Sequence, residues 1–425
     1  MTQTSRFARL SRTLAAALAL SLLATACGDD DDTTAQTADE TTGTEDASTS
    51  DPEAAPNTEP ASEDPVRIGV IASLTGPGAV IGVPFTDAAK IAVEKVNDEG
   101  GVLDGRPLEL DIRDDETKPD VAVQLFEGLA RDDVAWVMGP NLSATCYAVE
   151  PLAEQLDQPT YCWSSANMPD EHSDMYFGTS FDFTQLAEGH MQDFADMGIE
   201  RFAMLTSTDA SGKLYLETMT EAAEEAGIEI TGTSEFEQTE TDLTGTIAGL
   251  RSGEPQAYFI GTSGKPAAIA LKNMQDLQIQ EPVFIGFGNG SYVFAELVGS
   301  NIPDRTYVRM AKMVDLDAIA EDDPMLPKIE EFIEAWESEY DTKADPVSSG
   351  PWDVVFIIAE AIESAGGTDD PEAMVEAMEA MTYDGANCTY EFGPERHRGA
   401  EEGCVALTRL QGDGTFVAVD AADEG

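Results

Sequence analysis

Basic side chains are scarce in this sequence. Its 425 residues carry 23 lysines and arginines against 82 aspartates and glutamates, a formal net charge of −59. So acidic a surface repels a phosphate backbone and excludes nucleic acid as a partner. Histidine is rarer still: His172, His190 and His397 are the only three, and they lie far apart. That spacing gives neither a histidine-rich metal site nor a histidine-based triad, and His397 is expected in a hairpin loop. Serines are plentiful, but none stands in a nucleophile elbow. "GTSGK" (Gly261 to Lys265) lacks the spacing of a phosphate loop, and "GFGNGS" places Ser291 where a dinucleotide fingerprint needs glycine. Both are expected to be turns at strand ends. The sequence thus offers no catalytic residue, no cofactor site and no metal ligands, and an enzyme is not expected.

Long apolar runs are also missing. The greasiest stretch, Leu14 to Ala26, follows Arg6, Arg9 and Arg12 and falls short of the ~18 residues that a membrane-spanning helix needs. A basic segment, an apolar core and small residues in that order are an export signal. Ala24, Thr25 and Ala26 precede Cys27, an arrangement that resembles a bacterial lipoprotein signal; residues 1–26 would be removed and Cys27 lipidated. The expected location is the outer face of a bacterium's cytoplasmic membrane, with the membrane touched only through that lipid anchor. Residues 27–65 then form an acidic tether. From Gly28 to Val66 there is no lysine or arginine, and the remaining residues are mainly Thr, Ser, Ala and Pro, a composition that repels itself into an extended coil.

Beyond the tether, strand and helix signals alternate. "VRIGVIASL" (Val66 to Leu74) is a short buried strand, and Phe85, Ala88, Ala89, Ala92, Val93 and Val96 recur at helical spacing after Pro84. "LELDIRDD", "VAWVMGP", "RFAMLTST", "PQAYFIGT" and "PVFIGFGNG" open further units. This is the pattern of parallel sheets with helices on both faces, and a body of this length favours two lobes. The C-terminal part changes to alternating strands around Gly412 to Gly414, an antiparallel ribbon.

Several stretches carry a family resemblance. "IGVIASLTGPGAVIGVPFTDAAKIAVEKVNDEGGVLDGRPLELDIRDDETKP", "GPNLSATCYAVEPLAEQLDQPTYCWSSANMP", "GTSFD" and "GPWDVVFIIAEAIESAGG" resemble the branched-chain amino acid binding proteins, type I periplasmic solute-binding proteins of ABC importers. The resemblance runs from about Val66 to the C-terminus. It implies an α/β fold of two doubly wound parallel-sheet lobes joined by a three-strand hinge, closing on a small solute. By position, lobe 1 would be 66–181 plus 312–385 and lobe 2 would be 182–311 plus 386–425. The partners implied are a small-molecule solute and ABC permease subunits, with the protein acting as a monomer. A ligand-sensing receptor of the same fold, reporting to a signalling partner, is the alternative.

In doubly wound sheets ligands sit beyond the carboxyl ends of strands, which points to the loops after "VAWVM", "TYCW" and "PVFI". Ser143 in "GPNLSAT" stands where a helix begins, so it either caps that helix or binds a ligand's negative group. The resemblance implies a carboxylate-binding role for Ser143 and polar contacts from Ser165 and Asn167. Trp163, Phe287 and Tyr147 are the aromatics expected to line the pocket. Where the family has an acid that pairs with the ligand's ammonium, this chain has Gly288; where the family has an aromatic in lobe 2, it has Ser211. At these two positions an amino acid's ammonium finds no counter-charge, and a buried ammonium without one is costly.

Apart from Cys27, four cysteines remain in what reads as an exported chain, and three pairings are possible. Cys146 with Cys162 lie just past neighbouring strand ends, and Cys388 with Cys404 lie on the arms of the terminal ribbon, which favours those two bonds. Each short loop so closed stabilises by ~3 kcal/mol in the chain-entropy model. The charge imbalance suits concentrated salt, where the Debye length falls to ~3 Å at 1 M. The melting temperature is therefore expected to climb steeply from dilute to molar potassium chloride. A melting temperature that stays flat across that series would show the acids to be locally compensated.

Overall fold

The computed structural model describes residues 64–168, 172–178, 181–400 and 403–425. The export signal, Cys27 and the tether as far as residue 63 lie outside these. Two parallel-type sheets organise the described chain. The first contains β1 (Val66–Ala72), β2 (Leu108–Asp114), β3 (Trp136–Met138), β4 (Thr160–Cys162) and β5 (Tyr176–Gly178), in the order β2-β1-β3-β4-β5, with every pair parallel. The second contains β6 (Arg201–Ser207), β7 (Glu229–Phe236), β8 (Ala257–Gly261), β9 (Val283–Ile285) and β10 (Thr306–Ala311). A separate antiparallel pair, β11 (Thr382–Asp384) with β12 (Thr389–Glu391), precedes β13 (Val405–Leu410) and β14 (Phe416–Ala418). The order of the second sheet is β14-β13-β10-β9-β8-β6-β7, antiparallel only at β10/β13 and β13/β14.

Burial explains why the inner strands read as unbroken apolar runs. β3, β4, β8 and β9 are buried at every position, because helices cover both faces of a parallel sheet. β2, at a sheet edge, is largely half-exposed, and it carries Glu109, Asp111, Arg113 and Asp114. The β13–β14 turn runs through Gly414 at φ 85°, where its N–H reaches the Gln411 carbonyl at 2.9 Å. One helix starts earlier than its proline suggested. It spans Ala79–Asp98 with Pro84 inside, and the Thr86 hydroxyl donates to the Gly82 carbonyl at 2.7 Å in the turn around that proline.

Each sheet has its own apolar core. The first unites Val66 to Leu186 with Ala311 to Cys404 and includes Trp136, Phe177, Phe332, Trp352 and Tyr390. Two further clusters flank the second sheet, one around Tyr258 and Ile285, the other around Phe194, Phe202 and Phe284. Cys388, Tyr390, Phe392, Ala400 and Cys404 thus pack in the first core, although the sequence reading assigned residues 386–404 to the second lobe. The reason is that β12 pairs with β11, Cys388 and Tyr390 are fully buried, and the Tyr390 hydroxyl bonds Asp353 of the helix Ser349–Ala365. Cys146 is joined to Cys162 and Cys388 to Cys404, each across 16 positions. His397 lies in a turn between short antiparallel bridges, as expected, but its ring is buried. It is 2% exposed, stacked on Phe177 at 4.1 Å, with Nδ1 3.0 Å from the Tyr176 carbonyl and Nε2 2.9 Å from Glu379.

Asp353 ties this return segment to the first core. It accepts the Ala386 N–H at 2.7 Å, the Asn387 N–H at 2.8 Å and the Tyr390 hydroxyl at 3.2 Å. A Cβ on Gly385 would come within 2.2 Å of Asp353 Oδ2, so the turn closes only with glycine there. Burial pushes the Asp353 carboxyl up to about 7, although the Asn387 and Ala386 N–H groups pull the other way. An unfolded aspartate ionises near 4, so between these values the folded state keeps a proton that the unfolded chain has lost. The stability contributed is fully present below about pH 4 and is lost as pH rises to 7. Asp353→Asn should therefore flatten the decline in melting temperature over that interval. An unaltered slope would show that Asp353 does not titrate with unfolding.

Candidate ligand-binding cleft

The strand orders place two switch points. In the first sheet the chain reverses direction of build between β1 and β3; in the second, between β6 and β8. Loops leaving the carboxyl ends of strands at such points diverge and leave a crevice. Here the loops of both sheets meet around one cavity of about 220 Å³. Pro77 and Gly78 follow β1, Asn141 to Thr145 follow β3, Asp209 and Ser211 follow β6, and Ser263 follows β8, all on its wall. Ile81, Phe85, Trp163, Phe183 and Phe287 supply apolar surface.

Backbone and side-chain bonds fix these loops. The Ser73 N–H donates to Asn141 Oδ1 at 2.7 Å, joining the β1 and β3 loops, and the Ser73 hydroxyl donates to buried Asp115 at 2.7 Å. Burial raises the Asp115 carboxyl above its ordinary range, the Ser73 hydroxyl and Thr117 N–H acting against it. On the opposite wall Asn289 does the equivalent work. Its Oδ1 accepts the Gly264 N–H at 2.8 Å and its Nδ2 donates to the Thr262 and Gly286 carbonyls at 2.8 and 3.0 Å. The Tyr215 hydroxyl accepts the Phe287 N–H at 3.0 Å, and desolvation of that buried phenol raises its pKa.

Ser143, Trp163, Ser165, Phe287 and Gly288 all line the cavity. Ser143 is not a cap: the residue preceding the helix Ser143–Gln155 is Leu142, and the Ser143 hydroxyl lies 3.3 Å from that of Ser164. The Ser164 oxygen already accepts the Ala166 N–H at 3.2 Å, so its proton can serve Ser143 and leave the Ser143 proton for a ligand. Asn167 is not on the wall. Its amide is engaged elsewhere, Oδ1 accepting the Phe183 N–H at 2.9 Å and Nδ2 donating to Thr184 at 3.1 Å. Tyr147 is likewise not among the lining residues.

Gly288 leaves little room for any side chain: a Cβ there would lie 2.8 Å from Ser263 Oγ and 3.4 Å from Ile81 Cδ1 of the facing wall. Sequence reasoning missed Asp209, which puts a carboxylate on the wall two residues before Ser211. It caps the helix Ala210–Ala226 through the Gly212 N–H at 3.3 Å, and it also accepts the Ser207 hydroxyl and, at 2.8 Å, the Ser211 hydroxyl. Asn141 and Tyr215 were missed as well; the first lay within the quoted "GPNLSAT", whereas the second reaches a partner 72 positions away and left no local signal. Among the described residues no lysine, arginine or histidine lines the cavity, and no metal-holding group of His, Cys, Asp and Glu occurs.

Comparison with known proteins decides the family. The sequence profile of the family described as periplasmic binding protein matches residues 65–415. The chain belongs to this family. A Leu/Ile/Val-binding protein homolog of Brucella melitensis is 25% identical to it over 320 residues, covering 74% of this chain and 83% of the relative. Among solved structures, an extracellular ligand-binding receptor of Rhodopseudomonas palustris superposes with a TM-score of 0.77 at 17% identity, covering 84% of this chain and all of that one. A solute-binding protein from R. palustris in complex with benzoate gives a TM-score of 0.73 at 16% identity, covering 84% and 95%. Membership makes this chain a solute-binding protein of the periplasmic class and not an enzyme, with the α/β two-sheet fold of that class. No helix among the described residues is long and apolar enough to cross a membrane.

Removing the Tyr215 hydroxyl tests how this wall is held. Tyr215→Phe leaves the Phe287 N–H without its acceptor and is expected to cost about 1–3 kcal/mol in denaturant unfolding. A variant as stable as the parent would show that this hydrogen bond does not hold the Phe287 loop.

Proposed function

We propose that this periplasmic binding protein captures a small organic solute, amino acid-like and carrying a carboxylate or amide, between its two walls and delivers it to an ABC importer. The observation that carries the reading is the single cavity at both switch points, lined by Ser143 and the start of its helix on one side and by Asp209, Ser211 and Phe287 on the other. The first amides of a helix have no intrahelical acceptor and favour negative charge, which suits a carboxylate at Ser143. Ser165 adds a hydroxyl, and Trp163 and Phe287 offer apolar surface to the rest of the solute. Asp209 offers a counter-charge to an amine, the role that Gly288 and Ser211 leave open.

On this reading lobe 1 comprises residues 66–181 with 312–404, and lobe 2 comprises 182–311 with 405–425, a boundary moved to follow the first core. Cys27 is lipidated after removal of residues 1–26, and the acidic tether holds the binding body near permease subunits at the outer face of the membrane. The protein works as a monomer.

Thermal-shift titration in molar potassium chloride tests the reading, using isovalerate, isovaleramide, benzoate, benzamide and L-leucine. At least one member is expected to raise the melting temperature in a saturable way, as a ligand that binds only the folded state must. Failure of the whole set to do so would contradict capture of this solute class.

A further inference from the structure

Two lysines stand apart from every other cation of this acidic chain. Residues 66–425 hold twenty lysines and arginines against 69 aspartates and glutamates, a net charge of −49. Eighteen of the twenty side chains are engaged among the described residues. Twelve form ion pairs with carboxylates, five donate to backbone carbonyls, and Lys343 lies over the Tyr292 ring at 5.5 Å. The side chains of Lys213 and Lys265 have no such partner among the described residues. Local structure disfavours both. Lys265 is the first residue of the helix Lys265–Asp276 and Lys213 the fourth of the helix Ala210–Ala226, each at the positive end of a helix dipole. Lys213 has Asp209 four places before it and Glu217 four places after, the spacing of helical ion pairs, yet it joins neither.

What the two lysines share is the cleft. Their helices leave the carboxyl ends of β8 and β6, the neighbouring strands at the switch point of the second sheet. The helix of Lys213 packs Tyr215 and Met219 into one of the clusters flanking that sheet, and the helix of Lys265 packs Ala267 and Leu271 into the other. Ser211 and Tyr215 beside Lys213, and Ser263 and Pro266 beside Lys265, line the cavity, whereas the two lysines are exposed and do not line it. A Cβ on Gly264 would lie 3.0 Å from Val80 Cγ2, so Lys265 begins where the two walls meet. Both lysines therefore stand on the rim. We infer that Lys213 and Lys265 form an electrostatic entrance that sets the charge class of the solute, an anion drawn to the cleft past a surface that otherwise repels it. The inference rests on the cavity being the solute site and adds the net charge of what enters it. A carboxylate nearing a body of −49 is repelled, and two uncompensated ammonium groups at the mouth offset that repulsion locally. Because they lie outside the enclosed cavity, they act on approach, so their effect falls on the association rate and not on dissociation.

Stopped-flow fluorescence tests this, since Trp163 lines the cavity and reports its filling. Association and dissociation rates are measured for two shape-matched pairs, benzoate with benzamide and isovalerate with isovaleramide, at about 0.2 M and about 2 M potassium chloride, between which the Debye length falls to ~3 Å or less. At the lower salt the double variant Lys213→Gln/Lys265→Gln should take up the carboxylate roughly three- to tenfold more slowly than the wild type, with the dissociation rate and both rates of the carboxamide unaltered. At the higher salt the difference should vanish. Lys213→Arg/Lys265→Arg keeps both charges and should match the wild type throughout. Carboxylate uptake that is not slowed at the lower salt, or acid and amide slowed alike, overturns the inference while leaving the solute site standing. If neither pair binds to the wild type, both the inference and the functional reading fall.

Discussion

The hydrogen bond from the Ser73 N–H to the Asn141 amide oxygen spans the point where the first sheet changes direction of build, and the cleft depends on it. At that point the loops after β1 and β3 part from each other. Left unbraced, they would gain conformational freedom at the place where donors must stay aimed. One amide fixes the loops and, by committing its oxygen, leaves its NH₂ as a donor. Asn289 braces the facing loops after β8 and β9 in the same way, with all three of its bonds made to backbone. The two asparagines are buried, which strengthens their bonds and makes loss of either costly.

From these braces the electrostatic character of the cleft follows. The wall nearest the first sheet includes Ser143 and Ser165; the wall nearest the second includes the Asp209 carboxylate. Among the described residues, the cavity of this strongly acidic protein is lined by no base and by one carboxylate, Asp209, which is held by three donors of its own.

Much of this organisation was legible before the fold was known. Unbroken apolar runs such as "IGVIA" and "AYFIG" reveal parallel strands buried on both faces, and the loops after them mark the cleft by topology. Ser143, Trp163 and Phe287 stand in or beside those loops, whereas Ser165 and Gly288 were pointed to by the family resemblance; all five line the cavity. What could not be read depends on contacts distant in sequence. Pro84 masked the true start of its helix because a proline inside a helix reads as its beginning. Asn167 looked available, yet its amide serves a chain segment 16 positions on. Residues 386–404 looked like part of a terminal ribbon, whereas Asp353 draws them to the first core. Asp209 was not singled out, because an aspartate that caps a helix carries no sign of a second position, which only the meeting of the two walls exposes.

The central claim is that a solute is gripped by both walls at once. Hydrogen–deuterium exchange, recorded with and without the compound giving the largest thermal shift, measures this directly. Backbone amides of residues 141–146 on one wall and 286–290 on the other should slow together when the compound is added, with the same dependence on its concentration. Protection confined to one wall, or to a surface away from both loops, would contradict the account.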